Sequence, residues 1–261
     1  MIPVNEIISG DCVDVLKTFD DKCVDLTVTS PPYDNLRNYK GYSFDFENIA
    51  RELYRVTKDG GVLVWVVGDA TVKGSETGTS FKQALFFKEI GFNLHDTMIY
   101  SRYAMPNTAP RYSQDFEYMF VLSKGTVKTF NALEVPCEYA GVGTSPTSRG
   151  KDGVLVGKGR RIIKETKKQS NIWHFSAGAG KSTKDKIAHE HPAIFPESLA
   201  ENHILTWSNE GDIVLDPFCG SGTTLKMAKL NNRLYAGIDI SEEYCEISRK
   251  RVDNPGNIEI P

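Results

Sequence analysis

Thr29-Ser30-Pro31-Pro32-Tyr33 follows directly on the apolar-leaning run Val24-Asp25-Leu26-Thr27-Val28. Valine, leucine and threonine favour a strand, and a residue before proline is biased towards extended backbone, so the five residues should leave a sheet as a stiff loop. Proline has no N–H, which makes the loop rich in hydrogen-bond acceptors and poor in donors. Such a loop suits a substrate that offers N–H groups. The exocyclic amine of a nucleobase is one: its lone pair is delocalised into the ring until its hydrogens are held by acceptors that favour a pyramidal nitrogen. Ser30 Oγ and the Pro31 carbonyl can serve as those acceptors, and Tyr33 can stack on an extruded base. The plain structural alternative is a proline-rich turn at a strand end.

A second stretch lies near the other end. Asp212-Ile213-Val214-Leu215 reads as a strand, Asp216-Pro217-Phe218-Cys219-Gly220-Ser221-Gly222-Thr223-Thr224 as a tight glycine loop opening a helix over 225–230, and Arg233–Asp239 as the next strand, with a helix from Ser241 onward. A βαβ unit with a glycine loop after its first strand and an acid about twenty residues on is the arrangement that binds the two hydroxyls of an adenosine ribose. At the N-terminal end, Asn5–Cys12 reads as a short strand ending at Asp11, whose carboxylate can receive a ligand's N–H or cap the following helix.

The elements that must carry these loops are legible between them. Phe46, Ile49, Leu53 and Val56 stand at helical spacing, with Asp59-Gly60-Gly61 expected to end the helix. Val62–Val67 is a continuous apolar run of the length of a buried parallel strand. A helix over 80–90 stopped by Gly91, and strands over 97–100 and 118–122, complete a strand–helix alternation that predicts an α/β sheet. From about 130 to 186 glycine, serine, proline and charge replace hydrophobic periodicity. Residues 149–186 hold eleven basic side chains, among them Arg149, Lys158, Arg160, Arg161, Lys164, Lys167 and Lys168, against three acids in a chain of net charge −3. This basic insertion reads either as a solvated loop or as a surface that grips phosphates.

Composition bounds the rest. The 261 residues, 40% hydrophobic and 25% charged, allow one large domain with a sizeable core. No basic and apolar leader opens the sequence and no segment approaches membrane-spanning length, so a cytoplasmic location is expected. Five cysteines without a C-x-x-C pair argue for reduced thiols and against a structural metal. His189 and His191 are two apart without a third ligand nearby, which favours an exposed or capping role. Gly178-Ala179-Gly180-Lys181-Ser182-Thr183 imitates a phosphate loop, but Phe175 stands where its first glycine belongs.

Together these residues resemble the S-adenosylmethionine-dependent amino-methyltransferases of DNA, in the group whose catalytic motif precedes its cofactor motif. Ser30-Pro31-Pro32-Tyr33 resembles the catalytic motif, Asp216 to Thr223 the cofactor loop and Gly237-Ile238-Asp239-Ile240 the ribose-binding strand end. His191-Pro192-Ala193-Ile194-Phe195-Pro196 resembles the segment that contacts the methionine portion, through Phe195 and Pro196. The resemblance implies a seven-stranded, mostly parallel, doubly wound Rossmann-like sheet in a single domain over 1–261, with 129–188 as an inserted target-recognition region. It places Asp11 near the cofactor's adenine. It further implies double-stranded DNA as partner, a flipped base, no metal, and a homodimer and a cognate restriction endonuclease as companions.

Serine at position 30, where adenine-modifying relatives usually carry aspartate, resembles the cytosine-N4 enzymes, and Phe195 leans the same way. Serine variants acting on adenine N6 leave that alternative open. Cytosine-C5 chemistry would need a nucleophile such as Cys137, which sits in the irregular region without an activating context. The cofactor half alone does not exclude an RNA or protein acceptor. A catalytically silent DNA-binding subunit is the alternative from another class.

Overall fold

The structure, a computed structural model, describes residues 2–32, 44–102, 108–176, 180–191, 193–194 and 196–254. Two units divide it: residues 1–131 with 171–261, and a smaller one, Ala132–Ser170.

The larger unit runs β1 (Glu6–Ser9), α1 (Cys12–Leu16), β2 (Val24–Thr29), α2 (Phe46–Val56), β3 (Thr57–Val67), α3 (Thr79–Glu89), β4 (Asn93–Ser101), β5 (Phe116–Ser123), β6 (Ile172–His174), α4 (Glu197–Trp207), β7 (Ile213–Asp216), α5 (Thr223–Leu230), β8 (Leu234–Asp239) and α6 (Glu242–Asp253). The strands form one sheet in the order β1-β8-β7-β2-β3-β5-β4-β6. Every neighbouring pair is parallel except the two made by β5, which is antiparallel to β3 and β4. The expected seven strands are thus joined by an eighth. It is β6, three residues at the sheet edge within a stretch that has no apolar periodicity, where only Trp173 is buried.

β3 occupies the middle because its apolar run can be buried on both faces. Leu63, Trp65 and Val67 join Ile49, Leu53 and Val56 of α2 and Phe87 of α3 in one cluster. Trp65 is fully buried, and its indole N–H donates to Gln83 Oε1 at 2.9 Å. Helix α2 does not stop at the Gly-Gly pair as expected; its last residue is followed at once by the strand, at Thr57. The glycines instead serve an irregularity inside β3, opposite the register shift between Val24 and Leu26 of β2. Gly60 has φ +83°, and a Cβ there would stand 2.4 Å from Lys128 Cγ, so glycine fits where an ordinary side chain would be strained and crowded.

The connections from β2 run one way, to β3, while those from β7 run the other, to β8. The adjacent strands β7 and β2 therefore form the switch point of the sheet, the place where open α/β sheets leave a crevice at their C-terminal ends.

The smaller unit has an order that composition did not reveal. Residues 134–136 pair with 166–168, 143–144 with 161–162 and 147–149 with 155–157, all antiparallel. The three pairs are nested, so the chain travels out and back as one interrupted two-stranded ribbon. Its tip is a turn in which Gly150 N–H donates to the Val154 carbonyl and Val154 N–H to Asp152 Oδ1. The remaining parts of the interval 129–188, residues 129–131 and those from 171 on, belong to the larger unit.

Candidate active site

Both informative loops emerge at the switch point. Leu26 and Thr27 of β2 lie beside Val214 and Leu215 of β7, so the Ser-Pro-Pro segment and the glycine loop leave neighbouring strands at the same end. Two hydrogen bonds lock the exits together. Thr29 Oγ1 donates to Asp216 Oδ1 at 2.6 Å, fully buried, and Thr224 Oγ1 donates to the Val28 carbonyl at 3.1 Å. Ser30 and Pro32 are half-buried and Pro31 is buried. Tyr33 and the polar stretch after it lie outside the described residues, as does Phe195.

Asp216, expected in the cofactor loop, points into the protein. Burial pushes its carboxyl up to about 6, against the opposing effect of the hydrogen bonds from Thr29 and from Phe218 N–H. An acid whose folded pKa lies above its ordinary 3.8 holds a proton more tightly folded than unfolded. The stability it contributes is present at low pH and lost as pH rises from about 4 to about 6, roughly 3 kcal/mol in all. Asp216→Asn keeps the acceptor for Thr29 and removes this titration, so the stability of the variant relative to the parent should rise across that window. Urea melts at a series of pH values read the difference, and a pH-independent offset would contradict the assignment.

The glycine loop is held from beneath and from both sides. Gly220 and Gly222 have φ +48° and +78°. A Cβ on Gly222 would stand 2.1 Å from Ser248 Oγ, and one on Gly220 2.8 Å from His191 Nε2; neither position has room for a larger residue. Pro217, Cys219, Ser221 and Thr223 are buried. Burial pushes the Cys219 thiol well above its usual range, so it props the turn against Gly237 as an apolar group and has no role as a thiolate. Phe218 sits edge-on to Phe44 at 5.7 Å and to Trp65 at 6.3 Å, anchoring the loop in the core.

Asp239 ends β8 beside this turn. Its Oδ2 accepts from Gly220 N–H and its Oδ1 from Ser241 N–H, each at 2.9 Å; burial still holds its pKa above the ordinary carboxylate value. Asp11 stands one strand over, since Ser9 is in register with Asp239 and Gly10 N–H donates to the Asp239 carbonyl. The cap foreseen as its alternative role is present: Asp11 Oδ1 accepts from Val13 N–H at 2.8 Å and Asp14 N–H at 3.3 Å. Two carboxylates at adjacent strand ends, beside a glycine turn, can receive the hydroxyl and amine hydrogens of a nucleoside.

His191 is half-buried and takes the capping role expected of it: it ends the 3-10 turn Lys186–Glu190, its N–H donating to the Ala188 carbonyl at 3.1 Å. Its Nδ1 lies 2.6 Å from the Ala193 carbonyl oxygen, and its ring meets Tyr244 edge-on at 4.4 Å while covering Gly220. His191 is therefore brought to the glycine loop, and Pro196 is the residue preceding α4. Sequence reading missed Thr29, Thr224 and the buried pair Asp185 and Arg251, because their roles depend on which strands and helices become neighbours. The seven basic residues Arg149, Lys158, Arg160, Arg161, Lys164, Lys167 and Lys168 all lie exposed on the ribbon of the smaller unit. Cys137 lies in that unit too, its N–H donating to the Glu165 carbonyl. Among the described residues no group of three His, Cys, Asp or Glu is placed to hold a metal ion, and no helix is long and apolar enough to cross a membrane.

A mostly parallel sheet with a glycine loop and an acceptor-rich Ser-Pro-Pro loop at its switch point defines a nucleoside-cofactor transferase. Residues 24–250 match the N6/N4 DNA methylase family, and the chain belongs to that family as a DNA amino-methyltransferase. It is 60% identical over 240 residues, 90% of each chain, to the orphan methyltransferase M.BamHII of Bacillus amyloliquefaciens. It is 31% identical to the type II methyltransferase M.HpaI of Haemophilus parainfluenzae over 96% of this chain and 75% of that one. Among solved structures, a DNA modification methylase described as putative from Thermus thermophilus superposes with a TM-score of 0.66 at 26% identity, covering 96% of each chain. The cytosine-N4-specific PvuII DNA methyltransferase shares the fold, with a TM-score of 0.67 at 19% identity over 97% of this chain and 87% of that one.

Proposed function

We propose that the chain transfers a methyl group from S-adenosylmethionine to the N4 amino group of a flipped cytosine in a specific double-stranded DNA site. The observation that carries this reading is Ser30 at the exit of β2, tied through Thr29 to Asp216 at the base of the glycine loop by the 2.6 Å hydrogen bond. Acceptor and cofactor loops so joined hold the amine and the methyl donor in one geometry, which is the larger part of what the reaction requires.

The residues fit the cofactor. Asp239 takes the ribose hydroxyls, Asp11 the adenine side and the loop from Asp216 to Thr223 the sulfonium end, while Phe195 and Pro196 are assigned to the methionine portion. Bound there, S-adenosylmethionine supplies a methyl group already activated by its sulfonium. The protein's part is to hold the two amino hydrogens on Ser30 Oγ and the Pro31 carbonyl, which localises the nitrogen lone pair, while Pro32 stiffens the loop and Tyr33 stacks on the base. No thiolate is needed. The exposed basic residues of the ribbon, from Arg149 to Lys168, neutralise DNA phosphates. A second copy of the chain and a cognate restriction endonuclease are further companions in this reading, in a cytoplasmic setting.

Adenine N6 is the second reading, favoured by the breadth of the matched family, which spans both amines. Incubation with S-adenosylmethionine and mixed-sequence duplex DNA, digestion to nucleosides and mass spectrometry separates them. N4-methylcytosine is the expected product. N6-methyladenine would keep the mechanism and overturn the base, 5-methylcytosine would overturn the mechanism, and DNA binding without product would support a silent subunit.

A further inference from the structure

Beneath the glycine loop lies a cluster of four ionisable side chains that the reaction as described does not use. Arg251, on α6, is fully buried, Lys226 of α5 and Asp185 nearly so, and Glu197 opens α4 with a side chain about 20% exposed. Arg251 Nε donates to Asp185 Oδ2 at 2.9 Å and Nη2 to Glu197 Oε1 at 2.7 Å; Lys226 Nζ donates to the same two oxygens at 2.8 and 2.9 Å. The two cations and two anions balance.

One hand of Arg251 leaves the cluster. Its Nη1 donates to the Ser221 carbonyl at 2.5 Å, to Ser221 Oγ at 3.1 Å and to Thr223 Oγ1 at 3.3 Å. On the other side Thr183 Oγ1 donates to Glu197 Oε1, Asp185 N–H to Thr183 Oγ1 and Glu197 N–H to the Ser182 carbonyl. The cluster therefore fixes the far half of the glycine loop and both flanks of the 186–196 segment to one another. A balanced buried network contributes little net stability compared with apolar packing, but it admits one arrangement of its members, since displacing any of them leaves a buried charge unpaired.

Its place along the sheet says which part of a ligand it serves. Asp11 and Asp239 stand at the ends of β1 and β8, and Ser30 at the end of β2, with β7 between. A cofactor with its sugar on Asp239 and its methyl group towards Ser30 has its amino-acid arm over the far half of the loop, at Ser221 to Thr223. We propose that Arg251, with Asp185, Lys226 and Glu197, is a positioning group that shapes the subsite for the amino-acid arm of S-adenosylmethionine and leaves its adenosine half unaffected. This rests on the cofactor placement given above.

Two probes separate the halves: S-adenosylhomocysteine, which has the amino-acid arm, and 5′-methylthioadenosine, which lacks it. Calorimetry on Arg251→Met should show S-adenosylhomocysteine weakened about tenfold or more, ~1.4 kcal/mol, with methylthioadenosine within about twofold of the parent. Arg251→Lys, which can still pair with one acid, should recover part of the loss. Glu197→Gln, at the solvent rim of the cluster, gives the same split in milder form if Arg251→Met does not fold. Equal weakening of both probes would reduce the cluster to general support of the fold, and no weakening of either would remove its role; both overturn the proposal. A parent protein that binds neither probe would instead overturn the cofactor placement itself.

Discussion

Ser30→Ala should lower methyl transfer about a hundredfold to a thousandfold, the cost of removing one preorganised hydrogen-bonding group aimed at the reacting atom. Affinity for S-adenosylmethionine should stay within about twofold, because each depends on a different strand end. Ser30 leaves β2 and the cofactor loop leaves β7, and the bond that joins them uses the Thr29 and Asp216 side chains, which the substitution spares. Ser30 is half-buried and lies just past the end of β2, so alanine changes stability by about 0.5 kcal/mol or less. Single-turnover methylation at saturating cofactor, alongside calorimetric titration, makes the test. A variant that turns over at the parent rate would remove Ser30 from the chemistry, and one that loses cofactor binding as well would show the loops to be one functional unit.

The largest stability effect belongs to His203, which no part of the reaction uses. It lies on α4, fully buried, with its ring 4.6 Å from that of Trp173 and Nε2 3.2 Å from Met119 Sδ. Among the described residues Nδ1 has no hydrogen-bond partner. Burial holds its pKa down to about 3 from the usual 6.5. The folded protein therefore resists the proton that the unfolded chain accepts. The stability this confers is complete above pH 6.5 and is lost as pH falls towards 3, by ~1.4 kcal/mol per unit and ~5 kcal/mol in all. His203→Leu should flatten this part of the acid limb, and at pH 8 it should equal or exceed the parent, since an unpaired buried ring nitrogen costs about 1–3 kcal/mol. Denaturant melts between pH 4 and 8 check it; a variant with the parent's acid sensitivity would place the titration elsewhere. Asp216 acts in the opposite sense over part of the same range, so the comparison is between each variant and the parent at each pH.

What the sequence made legible were elements whose signal is local. The Val62–Val67 run, the spacing of Ile49, Leu53 and Val56, and the glycine loop between two short strands each carry their own period or turn chemistry, and each stands where expected. Asp11 illustrates a limit: strand-end acid and helix cap are written with the same letters, and the carboxylate that caps α1 also stands beside Asp239. What could not be read were relations between distant segments. Thr29 and Asp216 are 187 positions apart, and neither residue type announces the other. Asp185 looked like one stray acid among lysines because its partners, on α5 and α6, come later in the chain. The ribbon of residues 134–168 escaped notice because its strands are two or three residues long and largely exposed, which leaves no alternation of burial for a sequence to record.

The place of β1 has a consequence for how the molecule is made. Among the described residues the first strand pairs with β8 alone, so its amide groups must await a partner made about 230 residues later. At the ~5–20 residues per second of synthesis, that is a delay of tens of seconds or less during which Asp11 stands at the end of an unpaired strand. Asp11 and Asp239, and Thr29 and Asp216 as well, come together only once β7 and β8 have emerged from the ribosome. The order of the strands alone thus keeps the two loops of the switch point apart until β7 is made.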